Sequence, residues 1–393
     1  MRVAFVQHGD YRETHLRLTA GGEETYYAQR YSDNAIQQLT DRADEVSVIC
    51  VKSAEYDEVL SNAVRAIGVP LKSKGRRALA PLVKKLASLS PTHVVLRTPI
   101  VPILRWAIAA NVQLLPLFAD SFPRRWQRLP AYWQLAHCLN NKGIQWVGNH
   151  NLPASRDLQR IGVHAEKIIP WDWPPVCRPE DSPVRSLRCG GTGHTVLFVG
   201  VQSEDKGLGD LMLAVAEVRK NGHELRCLSI GGGDSRPFRE MADNAGIGEY
   251  VRFAGRLPHR EVLQQMREHD VVVVPSRHGY PEGLPFTIYD ALSVRTPIIA
   301  SDHPMFVEAL KDRSAALLYQ AGNVSELTQR ICELVNDAEL YQSLSTHSIE
   351  AFNRIECPAK WDRIVDHWLS DTKEDHSWLA QHSLAFSDRY GTS

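Results

Sequence analysis

The sequence predicts an α/β protein with two doubly wound domains, each built on a mostly parallel sheet covered by helices. Short apolar, β-branched runs alternate with longer segments of helical spacing, and this alternation is typical of parallel sheets. The alternation stops in one Pro-rich segment and then restarts, which indicates a second sheet. With 393 residues, the chain is long enough for two domains of ordinary size.

The strands are predicted from the apolar runs of each half. In the N-terminal half they are 2–7, 45–51, 93–97, 112–118 and 144–148. In the C-terminal half they are 195–200, 224–233, 250–255, 271–276, 297–302 and 315–320. The first run is too short for a signal peptide, so we expect it to be a buried strand. Helical spacing predicts helices over 22–40, 76–88 and 152–161, and the pattern is helical from Asn323 to the end.

The segment 168–194, IIPWDWPPVCRPEDSPVRSLRCGGTGH, separates the two halves. Its prolines and its Gly-Gly-Thr-Gly run cannot continue a helix or a central strand. We therefore expect an N-terminal domain over 1–170, a linker over 171–194 and a C-terminal domain over 195–370. A helical tail over 371–393 is expected to pack back on the N-terminal domain.

Composition argues against several classes of partner. The chain has 45 Lys and Arg residues against 46 Asp and Glu residues, so its net charge gives no sign of nucleic acid. No apolar run approaches the roughly 20 residues that span a bilayer. The seven cysteines are scattered, which favours reduced thiols over a disulfide framework or a zinc site. We expect a cytoplasmic protein.

Two loops after strands in the C-terminal half carry features of a ligand site, since ligands bind at the carboxyl ends of such strands. Strand 195–200 ends at Gly200, and Lys206-Gly207 opens the next helix. Helix-start N–H groups and a cation together favour phosphate oxygens, and a solvated lysine at a helix start is the structural alternative. The GGGD at 231–234 lacks the spacing of a dinucleotide site, so we interpret it as a tight turn lining a cleft.

A third loop, within residues 275–304, reads PSRHGYPEGLPFTIYDALSVRTPIIASDHP. A buried strand ends here, and the following residues have helical spacing with Pro285 in the first turn. Glu282 therefore lies beside the unpaired N–H groups of a helix start, and Gly283 allows a ligand to approach the backbone closely. Asp290 follows about two turns later. Capping and surface acids are the structural alternative.

With these residues, the C-terminal half resembles family 4 of the retaining glycosyltransferases, whose fold is named GT-B. The resemblance covers about 195–335, and the N-terminal half matches only weakly. The matching C-terminal segments are Lys206-Gly207, residues 252–276, Glu282-x7-Asp290 and RTPIIAS at 295–301. The matching N-terminal segments are Gly21-Gly22 and PTHVVLR at 91–97. The resemblance implies two Rossmann-like domains that face a cleft.

The resemblance also implies a reaction. The enzyme would move a hexosyl group from a nucleotide-sugar donor to a glycan, lipid-linked or small-molecule acceptor, with retention of configuration. Glu282 would contact the donor sugar, Lys206 would neutralise the diphosphate as it leaves, and Asp290 would hold the ribose hydroxyls. Further donor-binding residues would be Gly200, Gly283, Leu284, Pro285 and Phe286, with N–H groups of Leu284 and Phe286 as donors.

Two positions depart from the family pattern. Val201 stands where the family usually has Arg, and Asp290 is one methylene shorter than the customary Glu. The candidates to supply the missing polar group are Gln202, Arg256 and Arg277. These departures leave open a catalytically degenerate GT-B protein that serves as a binding or scaffolding module. A GT-B epimerase is disfavoured by the family signature. No Asp-x-Asp occurs in the chain, so neither a metal nor another cofactor is expected.

Candidate acceptor or cleft residues lie in the N-terminal half. They are Gly21 and Gly22 ahead of a predicted helix, His8 at the end of the first strand, and Asp120 after strand 112–118. For each of them, a structural role is the alternative.

Two basic segments raise the question of membrane contact. Residues 72–85 contain six Lys and Arg residues and no acid. They would form a basic amphipathic helix, either solvated and packed on the sheet or in peripheral contact with the anionic inner face of the membrane. RRWQR at 124–128 adds a second basic loop.

Overall fold

The computed structural model describes residues 1–24, 27–71, 79–122, 129–187, 193–280 and 282–390. The chain divides into two compact units. The first comprises Met1–Glu24, Ala28–Pro174 and Cys357–Ser393, and the second comprises Thr25–Tyr27 and Pro175–Glu356. Each unit contains one mostly parallel sheet with helices, so the predicted α/β class is confirmed. Within the described ranges, no helix has both the length and the hydropathy needed to cross a bilayer.

The first unit is built on one sheet. Among the described residues, a single strand of this sheet runs antiparallel to its neighbour. Its strands are β1 Arg2–His8, β2 Glu45–Val51, β3 Tyr56–Val59, β4 Arg65–Val69, β5 His93–Leu96, β6 Gln113–Phe118, β7 Val147–His150 and β8 Ile168–Trp171. Their order is β3-β4-β2-β1-β5-β6-β7-β8, and β3 is the antiparallel strand. Its helices include α1 Tyr11–Thr19, α2 Gln29–Gln38, α3 Ala80–Ser88, α4 Val101–Ala109, α5 Leu129–Leu139 and α6 Leu152–Arg160.

The second unit has a parallel sheet. Its strands are β9 His194–Val199, β10 Leu225–Ile230, β11 Val251–Gly255, β12 Val271–Val274, β13 Ile298–Ser301 and β14 Ala316–Tyr319. Its helices are α7 Leu208–Lys220, α8 Arg236–Asn244, α9 His259–Glu268, α10 Phe286–Ser293, α11 Pro304–Val307, α12 Val324–Asn336, α13 Ala338–Thr346 and α14 Ser348–Ile355. The strand order is β11-β10-β9-β12-β13-β14. The order reverses between β9 and β12, and a ligand is expected outside the carboxyl ends of these two strands.

The predicted strands are all present, most of them with shifted ends, but β3, β4 and β8 were not predicted. The edge strand β3 has the sequence YDEV and is largely exposed, so it has no apolar run to reveal it. Strand β8 lies in the segment expected to be irregular. Pro170 is tolerated there because β8 lies at the sheet edge and, as far as the structure describes the chain, pairs only with β7. The predicted helix 22–40 begins only at Gln29, and α1 precedes it.

The C-terminal residues belong to the first unit. They contain α15 Trp361–Ser370, expected in the C-terminal domain, and α16 Lys373–Gln381. The physical reason is an apolar cluster in which Trp361 packs with Phe5 and Trp171. The ring centroids of Phe5 and Trp361 are 5.9 Å apart. The chain passes from the first unit to the second after Pro174, close to the start of the expected linker.

Removing the Trp361 side chain should destabilise the first unit. Trp361 is 1% exposed, and Trp361→Ala should lower the free energy of unfolding by about 3–5 kcal/mol because a large cavity is left. Trp133 is 68% exposed, and Trp133→Ala should change it by no more than about 0.5 kcal/mol. Urea unfolding followed by far-UV circular dichroism compares the two variants. Equal costs would contradict the packing of α15 on this sheet.

Candidate functional site

Lys206 and Glu282 meet at the carboxyl ends of β9 and β12. Lys206 ends a short 3-10 helix after β9, and Glu282 lies between β12 and α10. The Nζ atom of Lys206 forms an ion pair with Oε1 of Glu282, and the two side chains are only 13% and 7% exposed. The hydroxyl of Ser276 donates to the same carboxylate oxygen over 3.1 Å. The structure thus brings together the two residues predicted to be catalytic.

Aromatic and imidazole groups surround this ion pair. The Lys206 ammonium lies 4.6 Å from the centroid of the Tyr280 ring. Burial, followed by the charge of Glu282, raises the pKa of Tyr280. The Nε2 atom of His303 lies 3.2 Å from the Tyr280 carbonyl oxygen. Burial lowers the pKa of His303. The cation is therefore held in a largely dry pocket, where its charge acts strongly on an anionic ligand.

Arg277 connects the loop after β12 to the loop after β9 and to the start of α7. Its guanidinium donates to both carboxylate oxygens of Asp210, over 2.6 and 3.0 Å. Its backbone N–H donates to the carbonyl of Asp205 over 2.9 Å. Asp210 is buried in the first turn of α7, and its hydrogen bond to Arg277 raises the pKa of the guanidinium. This bidentate pair fixes the loop after β12 against the start of α7.

Gly207 permits the close approach of these loops. It has a φ of +73°, and a Cβ atom there would lie 2.0 Å from the carbonyl oxygen of Pro275. Within the described residues, the N–H groups of Leu208 and Gly209 in the first turn of α7 donate no hydrogen bond. The helix start therefore presents unpaired donors next to Lys206, as an anion site requires.

The residues between Glu282 and α10 have different roles. Pro285 caps the helix with extended backbone, and the Leu284 side chain is buried in the core. Among the described residues, the N–H groups of Gly283 and Leu284 donate no hydrogen bond. They are therefore available to a ligand. The N–H of Gly200 donates to the Ile230 carbonyl over 3.0 Å, so Gly200 offers no N–H donor.

Asp290 and Phe286 border a cavity of about 360 Å³ in the second unit. Other residues of its wall are Gly200, Val201, Gly231, Gly232 and Arg256. Gly231 allows two backbone segments of this wall to pack closely, because a Cβ atom there would lie 1.8 Å from the Gly200 carbonyl oxygen. The carboxylate of Asp290 contacts His259, with 3.0 Å between Oδ2 and Nε2. Sequence analysis did not single out His259, since it lies 31 residues from Asp290 and no local pattern joins them.

Three residues were candidates to supply the polar group missing at Val201. Arg277 is engaged by Asp210, and the side-chain amide of Gln202 donates to Ser229 over 3.2 Å. Arg256 lines the cavity and makes no hydrogen bond or ion pair with any residue that the structure describes. It is therefore the available cation. In the same described ranges, no three His, Cys, Asp or Glu side chains are grouped to hold a metal ion.

The candidate acceptor residues lie in the first unit. His8 ends β1, and its Nε2 lies 3.2 Å from the hydroxyl of Thr98. The backbone of Asp120 exchanges hydrogen bonds with the Asn149 side chain after β6. Gly21 and Gly22 were expected to offer N–H groups to a ligand. Instead their N–H groups donate to carbonyls of α1 and end that helix. Gly21 takes the left-handed conformation, φ +80°, typical of a helix end.

The basic segments are only partly described. Residues 72–78 and 124–128 lie outside the described residues, so the membrane contact stays a prediction. In α3, the ammonium of Lys85 pairs with Asp57 over 2.6 Å. Arg65 and Lys85 lower the pKa of that carboxyl to about 2. This part of the basic surface is therefore partly neutralised.

Comparison with known proteins shows which family the second unit resembles. Residues 185–350 match the family described as glycosyl transferases group 1. This segment resembles that family. The resemblance stated from the sequence is confirmed for it.

Two relatives illustrate the extent of the match between this group 1 segment and known enzymes. The phosphatidyl-myo-inositol mannosyltransferase of Mycobacterium leprae is 29% identical over 163 residues, which cover 41% of this chain and 42% of that protein. The 2-deoxystreptamine N-acetyl-D-glucosaminyltransferase of Streptomyces fradiae is 31% identical over 173 residues, or 43% of this chain and 40% of that protein. The match thus spans less than half of either relative.

Solved structures resemble the chain over most of its length. The Anabaena protein Alr3699/HepE, solved in complex with UDP and glucose, has a TM-score of 0.66 at 14% identity and covers 95% of this chain and 100% of its own. Sucrose-phosphate synthase from Thermosynechococcus elongatus has a TM-score of 0.65 at 17% identity and covers 97% and 100%. The predicted GT-B fold is confirmed.

Replacing Gly207 should cost more than replacing a glycine with similar backbone. Gly222 has a φ of +88° but nothing within 4 Å of its missing Cβ atom. Gly222→Ala should therefore cost about 1–2 kcal/mol for the left-handed conformation. Gly207→Ala should cost a further ~1–3 kcal/mol, because its Cβ atom meets the Pro275 carbonyl. The free energies of unfolding in urea measure both costs. Equal values would contradict the close approach of α7 and β12.

Proposed function

We propose that the protein is a retaining glycosyltransferase that takes its sugar from a nucleotide-sugar donor. The observation that carries the proposal is the largely buried Lys206–Glu282 pair at the carboxyl ends of β9 and β12. The unpaired N–H groups at the start of α7 lie beside it. The match of residues 185–350 to glycosyl transferases group 1 supports this reaction class. The Anabaena protein of similar fold binds UDP and glucose, according to its description.

Lys206 would stabilise the leaving group. When the bond between the anomeric carbon and the phosphate oxygen breaks, the nucleoside diphosphate takes the bonding electrons and gains negative charge. An acceptor hydroxyl oxygen bonds to the same carbon on the same face and gives its proton to the departing phosphate oxygen. The fixed ammonium and the helix-start N–H groups favour this charge without needing to reorganise. We expect no metal requirement, because these groups supply the positive potential.

Glu282 would bind the donor sugar. A diphosphate that reaches Lys206 competes with the Glu282 carboxylate for the same ammonium. The displaced carboxylate is an acceptor for sugar hydroxyls. The N–H groups of Gly283 and Leu284 would complete this part of the site. Glu282 therefore links diphosphate binding to recognition of the sugar.

The nucleoside would lie in the cavity bordered by Asp290. The carboxylate would accept hydrogen bonds from the ribose hydroxyls, and the cavity of about 360 Å³ would hold the base. Arg256 would supply the positive charge that the family's usual Arg provides at the position where this chain has Val201. Its guanidinium offers donors and no acceptor, so it suits base carbonyls or phosphate oxygens.

The acceptor would bind the first unit near His8 and Asp120. The relatives named above act, by their names, on a phosphatidylinositol and on 2-deoxystreptamine, and both acceptors are rich in hydroxyl groups. We propose a glycan, lipid-linked or small-molecule acceptor of this kind. A lipid-linked acceptor would fit peripheral contact at the inner face of the membrane through the basic residues of 72–85.

A degenerate GT-B binding module is the second candidate. Val201 and Asp290 motivate it, because both weaken the family pattern. The preserved Lys206–Glu282 pair favours the enzyme instead, since a binding module needs no acid at the sugar. Transfer or hydrolysis of a nucleotide sugar distinguishes the two, because a module that only binds would do neither.

Replacing Asp290 and replacing Glu282 should impair different properties of the protein if these roles are right. Asp290→Ala should weaken UDP or GDP binding by about 1–3 kcal/mol, because a charged hydrogen-bond acceptor is lost. Glu282→Ala should lose sugar transfer and bind the nucleotide more tightly than the wild type, because the carboxylate that competes for Lys206 is gone. Asp234 is exposed and paired with Arg236, so Asp234→Ala serves as the matched control and should change neither. Isothermal titration with UDP and GDP, combined with transfer rates from UDP- and GDP-sugars, measures both properties.

The same titrations in EDTA check the role of Lys206. The affinity should be unchanged, because Lys206 and helix N–H groups would supply the positive potential. Binding that disappears in EDTA would contradict this assignment. Normal transfer by Glu282→Ala would contradict the proposed mechanism, and full nucleotide affinity in Asp290→Ala would leave that acid without a role.

A further inference from the structure

His259 connects two elements of the second unit that are distant in sequence. It is the first residue of α9, whereas Asp290 lies on α10. The atoms Nε2 and Oδ2 are 3.0 Å apart, and the two side chains are only 14% and 13% exposed. Because the partner is a carboxylate, Nε2 carries the hydrogen and donates it.

The His259 ring packs against an aromatic neighbour. Tyr27, which groups with the second unit, lies edge-on to it with 5.1 Å between ring centroids. Tyr27 also contacts Phe286, at 4.9 Å between centroids, and is itself buried. Edge-on and tilted contacts of this kind favour one orientation of each ring. The donor atom of His259 is therefore fixed in place.

This fixed donor sets the position of the Asp290 carboxylate. Oδ2 accepts the bond from His259, and within the described residues Oδ1 accepts none. A carboxylate held by one oxygen presents the other in a fixed direction, so little side-chain freedom is left to lose when a ligand binds. The arrangement matters here because Asp290 is one methylene shorter than the Glu usual at its position.

We propose that His259 is a positioning residue for the nucleotide ribose. It fixes Asp290 so that the carboxylate accepts hydrogen bonds from the ribose hydroxyls, and the preference for ribonucleotides over 2′-deoxyribonucleotides depends on it. The inference rests on the proposed function, since it assumes that a nucleotide occupies this cavity. It adds a residue outside the Glu282-x7-Asp290 signature to the donor site.

The experiment compares UDP with 2′-deoxy-UDP by isothermal titration, with GDP and 2′-deoxy-GDP in parallel. The main variant is His259→Phe, which keeps an aromatic ring against Tyr27 but removes the donor. It should bind the ribonucleotide about 5- to 20-fold more weakly than the wild type and bind the deoxynucleotide nearly as well. The ratio of the two affinities should therefore collapse. His223→Ala, in the loop after α7, is the control and should leave the ratio unchanged.

A double-mutant cycle adds a second readout. If His259 acts through Asp290, adding His259→Phe to Asp290→Ala should cause no further loss of ribonucleotide affinity. Equal weakening of ribo- and deoxynucleotide, or an unchanged ratio, would overturn the inference while nucleotide binding itself stands. A wild type that binds none of the four nucleotides would overturn the donor site and this inference together.

Discussion

The ion pair between Lys206 and Glu282 is the interaction on which the rest of the site depends. Two charges with so little exposure are costly to bury unless each has a partner. The pair forms only if the loop after β12 and the start of α7 are held together. The bidentate bond of Arg277 to Asp210 and the missing side chain at Gly207 provide that contact. The sheet also brings the two residues together, because β9 and β12 are neighbours at the point where the strand order reverses.

The proposed donor site therefore has two parts with different electrostatics. Around Lys206, an ammonium and unpaired helix N–H groups suit phosphate oxygens. Around Asp290, a carboxylate fixed by His259 suits hydroxyl groups. The departures from the family pattern are explained in these terms. Arg256 offers a cation near Val201, and the bond from His259 fixes the shorter Asp290 side chain.

The sequence predicted whatever is encoded locally. Apolar runs revealed the buried strands other than β4 and β8, and the spacing from Glu282 to Asp290 marked a loop entering a helix. Features that depend on contacts between distant segments were not predictable. Strand β8 is proline-bearing and forms only because it pairs at the edge of the sheet. Helix α15 joins the first unit because Trp361 fills its core. Gly21 was expected to bind a ligand, since the helix that it ends was not recognised.

The central claim is that the Lys206 ammonium is a diphosphate site for which Glu282 competes. Titration of Glu282→Gln with UDP and GDP tests it most directly. The variant keeps the shape of the side chain and removes its charge, and a nucleotide without a sugar loses no contact with residue 282. The account predicts tighter binding than in the wild type, by about 5-fold or ~1 kcal/mol. Weaker or unchanged binding of both nucleotides would contradict it.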